Sequence, residues 1–114
     1  MAFKINIEKL KWEPHPIAKG VEIKVLLSKK THSAEVTCML VKIRKGLNIP
    51  EHIHSNSDDI LFPLSGMATM KVEGGKAFVL KPGVFVRVPK GKKHKIYNVK
   101  KDLLLYDVFA PATI

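Results

Sequence analysis

The chain has 114 residues, 46% of them hydrophobic, an ordinary fraction for one globular domain with its own core, and a formal net charge of +10, large for this size and almost all lysine. No apolar run is long enough to span a bilayer, no signal-peptide-like segment opens the chain, and the single cysteine, Cys38, excludes an intrachain disulfide framework. A cytoplasmic chain with no membrane partner is expected. Only Arg44 and Arg87 of the basic residues are arginines, and no aromatic platforms sit beside the lysines, so no nucleic-acid partner is expected.

Residues 1–20 read as an irregular segment, with Trp12-Glu-Pro-His-Pro16 covering the domain or reaching a partner subunit. The domain proper spans 21–114. Val21–Leu27 opens with apolar/polar alternation, and Ala34–Ile43 is a longer strand in which Cys38 is expected as a buried, inert thiol. Glu51–His54 is short. Ile60–Leu64 contains Pro63, which predicts an edge, a bulge or an irregularity. Met67–Glu73 and Lys76–Leu80 flank Gly74-Gly75, a hairpin signal. Val84–Val88, His94–Val99 and Leu103–Phe109 complete the series. Short strands split by turn residues, with no long amphipathic helix, predict an all-β sandwich or barrel.

Chemistry concentrates in two stretches. Gly46-Leu-Asn-Ile-Pro-Glu-His52-Ile-His54 continues to Asp59 and closes at Gly66; Gly83 leads to Pro89-Lys-Gly91-Lys-Lys-His94 and Asn98. Two histidines at i and i+2 on a strand share a face, and neutral imidazole is the commonest protein ligand for divalent transition metals. His52, His54, His94 and Asp59 therefore form a candidate site for one such ion, with Zn, Mn, Fe, Ni and Cu all admissible. Asp58 misses the spacing to Gly66. His15 and His32 lie outside both stretches and read as ordinary surface histidines. Lys90, Lys92, Lys93 and Lys95 bracket His94, a positive rim that would draw anions. Met39, Val41, Phe62 and Phe109 are candidates for the pocket wall, with Lys92, Lys93, Phe62 and Met39 as substrate-binding residues.

In these two stretches the chain resembles the cupins. The first cupin motif, Gly-x5-His-x-His-x3,4-Glu-x6-Gly, is matched by Gly46, His52, His54, Asp59 and Gly66. The second, Gly-x5-Pro-x-Gly-x2-His-x3-Asn, is matched at every fixed position by Gly83, Pro89, Gly91, His94 and Asn98. Asp59 departs from the usual Glu and is one methylene shorter, so it either ligates directly or orients a ligand histidine. The resemblance implies a single jelly-roll β-barrel and, commonly in small members, a homodimer formed through outer sheets. It implies a small-molecule metalloenzyme acting on an oxygen-rich, anionic substrate such as a sugar acid or keto acid, by isomerase, lyase, ring-opening or dioxygenase chemistry. The alternative is a non-catalytic small-ligand sensor or binding module.

Overall fold

The computed structural model describes residues 2–114. Eight strands follow in chain order: β1 (Glu13–Pro14), β2 (Glu22–Leu27), β3 (Thr37–Ile43), β4 (Ile49–His52), β5 (Asp58–Val72), β6 (Phe78–Leu80), β7 (Val86–Val88) and β8 (His94–Ala110). All pairings are antiparallel. In residues 2–114 helix is confined to a 3-10 turn at Ile7–Lys9 and one α-turn at Lys29–His32. Among the described residues no helix is long and apolar enough to cross a membrane.

Two long strands make the jelly roll. The C-terminal half of β8 lies between β3 and the start of β5, with β2 and β1 beyond β3 and β7 on the far side of β5. The N-terminal half of β8 lies between β4 and the end of β5, with β6 outermost. Each long strand thus belongs to both sheets and turns a corner midway, as strands do when they switch sheets through bulges. Ile43, Met70, Leu80, Ile96, Leu103 and Leu105 are fully buried between the sheets. Each such side chain contributes about 1.5–3 kcal/mol by leaving water.

The corner explains where the observed strands depart from the expected ones. His94–Val99 and Leu103–Phe109 are one continuous strand of 17 residues; the polar stretch between them, Lys100–Asp102, is exposed because it rounds the corner. Register shifts between β5 and β8 fall at Pro63–Thr69. Pro63 is fully buried inside a central strand, at the edge of this irregular region, where a missing N–H costs little. Gly66 lies within β5 rather than at its boundary, at φ 93°, and a Cβ there would collide with the Asp102 carbonyl. Asn98, the last fixed residue of the second motif, takes a left-handed φ of 51° and is exposed. Cys38 is half-buried on the outer face beside Tyr106; that neighbour and partial burial push the Tyr106 hydroxyl up to about 12.

The N-terminal segment lies on the β2–β3 side. β1 pairs with β2 through Glu13↔Ile23 and Pro14↔Glu22. Lys24 Nζ donates to the Ile7 carbonyl at 3.0 Å. Lys24 and Lys42 both reach the Trp12 ring, at 4.7 and 4.2 Å from its centroid, cation–π contacts that hold the segment against the sheet.

Candidate metal centre

The four motif side chains converge. His52 is the last residue of β4 and pairs in register with His94, the first of β8. His54 lies past the end of β4, so it is not the second of two alternating strand residues as the spacing suggested. A loop brings it round instead, fastened where Gly91 N–H donates to the His54 carbonyl at 2.8 Å. Asp59 enters from β5, opposite Phe109 of β8 and Val88 of β7. One candidate ligand atom from each of these four residues lies within 4.8 Å of all the others. The neighbouring Asp58 points away and ties the second motif down, accepting from Arg87 Nε at 2.8 Å and from Lys90 N–H at 3.0 Å.

Backbone carbonyls orient the rings. His52 Nδ1 donates to Pro50 O at 2.9 Å and His94 Nδ1 to Lys92 O at 3.1 Å, which leaves both Nε2 lone pairs free in the neutral tautomer. His94 Nε2 then faces Asp59 Oδ2 at 3.1 Å. A neutral ring already donating through Nδ1 sets lone pair against lone pair there, so the contact calls for a cation. His54 Nε2, 3.7 Å from the same oxygen, is buried without a hydrogen-bond partner, as is Asp59 Oδ1. Buried polar atoms left unpaired are costly. Two donors bound to one ion at about 2.1 Å sit about 3.0–3.4 Å apart, close to the separations seen. The donor set fits a divalent transition metal.

Burial lowers the His52 and His54 imidazoles from their ordinary range, against the pull of the Asp59 charge, which keeps them neutral and ready to ligate. Asp59 is buried, which opposes ionisation. Its polar neighbours Asp107, His94 and His54 still hold it below the usual carboxylate range.

Two residues of this site were not singled out from the sequence. Asp107 is wholly buried, and burial followed by the Asp59 charge pushes its carboxyl well above the usual range. A carboxyl held up in this way is the form that can donate to the Asp59 carboxylate. A signal existed: Asp107 takes the inward position between Leu105 and Phe109, where an acid needs a partner. His15, read as a surface histidine, lies at the cavity; its Nδ1 accepts from Ile17 and Ala18 N–H at 3.1 and 3.0 Å. No local signal marks it.

The site occupies a small chamber of about 40 Å³ that opens into a vestibule of about 290 Å³. Met39 and Phe109 line both, and Val41 lines the chamber. Phe62 lines neither: Asp59 and Leu61 point inward, so Phe62, three residues from Asp59, points outward and is 42% exposed. Lys92 and Lys93 are exposed and also line neither cavity. Their turn meets the site through backbone, the Lys92 carbonyl holding His94 and Lys93 N–H donating to Glu73, so the positive rim is not at this mouth.

The fold is shared with solved structures of low sequence identity. A predicted oxalate decarboxylase from Thermotoga maritima superposes with a TM-score of 0.83 at 23% identity, covering 96% of this chain and 99% of that one. KdgF from Halomonas sp. gives 0.80 at 24%, covering 96% and 94%. The polyketide cyclase RemF from Streptomyces resistomycificus gives 0.81 at 18%, covering 97% and 80%. No curated protein sequence matches the chain significantly. The cupin domain family model matches residues 39–109, most of the barrel and both histidine stretches, and the chain belongs to the cupin family.

Proposed function

We propose that this cupin holds one divalent transition metal through His52, His54, His94 and Asp59 and uses it to bind and transform a small oxygen-bearing molecule. The observation that carries the reading is the His94 Nε2 to Asp59 Oδ2 contact, 3.1 Å long in a buried site where His54 Nε2 has no partner. The metal, when bound, supplies Lewis-acid polarisation of a substrate oxygen. Asp59 ligates directly in this reading, since its shorter side chain already lies among the imidazoles. Asp107 holds Asp59 ionised and aimed, Pro50 and Lys92 carbonyls hold two rings in the ligating tautomer, and Val41, Leu61 and Ile96 keep the chamber dry. An oxygen-rich substrate, such as a keto acid, keeps its support; its negative charge does not draw on the cavity walls, and salt dependence of binding tests it. The homodimer has its best support on the outer face of β5 and β8, where Phe62 and Leu64 stand exposed beside half-buried Tyr106 and Val108.

Elemental analysis of protein purified without a metal-affinity tag tests the centre. About one transition-metal ion per chain is expected, and almost none in His94→Ala. Equal metal in both would overturn the reading. A screen of keto acids and sugar acids with the metal restored then separates an enzyme, which turns substrate over, from a sensor that only binds.

A further inference from the structure

We infer that the ligand of this site is amphipathic: an oxygen-bearing head in the chamber and an apolar body of several carbons in the vestibule, with His15 donating a hydrogen bond at the junction. For the head, this rests on the metal-centre reading above. The body rests on the vestibule alone. Its walls include Ile17, Ile23, Ile53 and Ile114, with Met39 and Phe109 at the neck. Their aliphatic side chains offer no partners for a ring of hydroxyls, and a polyhydroxylated body entering there would lose hydrogen bonds to water without replacement. About 290 Å³ accommodates a chain or ring of several carbon atoms beyond the chamber.

His15 lies at the boundary, lining both chamber and vestibule. Its Nδ1 accepts two backbone N–H groups, from Ile17 and Ala18. The ring proton is thereby fixed on Nε2, a donor rather than an acceptor. A donor at the neck, beside a mainly apolar wall that also includes Thr113, recognises an oxygen of the head and fixes which end enters first.

The test uses isoleucine δ1-methyl NMR on the full chain, zinc-loaded and metal-free, titrated with acetate, butyrate, hexanoate and gluconate at constant ionic strength. Each buried methylene is worth about fourfold in affinity. With allowance for partial burial, hexanoate should bind zinc-loaded protein at least about tenfold tighter than acetate. It should shift the Ile17, Ile23, Ile53 and Ile114 methyls, and gluconate should leave them unmoved. His15→Asn keeps an acceptor for the two backbone N–H groups but loses the donor at the neck. It should keep zinc and weaken hexanoate about fivefold. Gluconate matching hexanoate, or hexanoate leaving all four methyls unshifted, overturns the amphipathic ligand; unchanged hexanoate affinity in His15→Asn overturns the role of His15. If zinc is not retained, the metal centre fails by itself. Hexanoate must then still shift the same four methyls in metal-free protein, and silence there overturns the vestibule assignment too.

Discussion

His94 and Asp59 form one half of the site, His52 and His54 the other, and the two halves are built differently. His94 and Asp59 stand on the two longest strands with side chains 2% and 4% exposed. His52 ends a four-residue strand, and His54, 26% exposed, rides the loop beyond it. The buried half is preset by the sheet, whereas the other half is set by a few loop contacts and stands open to the vestibule. A metal held there would have its geometry set in the strands and its adjustability at the mouth.

Substitution should expose that asymmetry. The largest effect is expected from His94→Ala and Asp59→Ala, which remove donors that the sheet has fixed: metal occupancy should fall from about one per chain to below about a tenth by elemental analysis, a loss of the order that removal of a buried charge partner brings. His52→Ala, at the open half where water can take the vacant position, should lose less in a zinc titration. Equal losses at His52 and His94 would erase the distinction between the halves.

Asp107 sharpens the comparison from behind Asp59. Asp107→Leu should weaken zinc binding about 10–100-fold by freeing the carboxylate it orients. Asp107→Asn, whose amide can still donate, should stay within a few-fold of the parent in the same titration.

Acid should act mainly through the histidines. The imidazoles of His15, His52 and His54 are all lowered from 6.5 in the fold, by burial first. The unfolded chain therefore takes up protons below about pH 6.5 that the native chain refuses, and metal-free stability should drop as pH falls through that value toward the lower native pKa values. Asp107 has the opposite sign: its native pKa is raised, so its contribution is lost as pH rises from 3.8 through the native value. Urea unfolding at pH 7.5 and 5.5 should show the acid loss more cleanly in Asp107→Asn, where the opposing group is gone. A flat profile in that variant would mean the histidines are not shielded as the fold suggests.

The smallest effect is expected from Lys92→Glu with Lys93→Glu. Neither side chain lines the cavities, so metal content should not change. At physiological salt, carboxylate binding measured by calorimetry should change less than about threefold, since exposed charges are screened over about 8 Å.

The candidate ligands were legible because motif spacing marks them directly: His52, His54, Asp59 and His94 stand at fixed intervals from glycines and a proline. Phe62 was misplaced although the strand period was visible, since an odd separation from Asp59 puts it on the other face. His15 was not legible, because it reaches the cavity through the pairing of Glu13 with Ile23, a long-range contact without local trace. Lys100–Asp102 looked like a loop because a strand rounding a corner is solvated on both sides.

That corner also sets the phase of the two long strands. Along β5 the inward side chains are odd-numbered at Asp59 and Leu61 and even-numbered at Ala68 and Met70; along β8 they are even at His94 and Ile96 and odd at Val99, Leu103, Leu105, Asp107 and Phe109. Asn98 lies at the second change of phase and Gly66 within the first, packed on Asp102, while Gly46 donates to the Val99 carbonyl. The non-ligand ends of both motifs therefore keep count for the ligands. Deleting Asn98 alone would leave every candidate ligand side chain in the sequence, yet His94 and Asp107 would no longer face the same interior. A site assembled from intact residues can thus be lost by an error of one in the length of a strand.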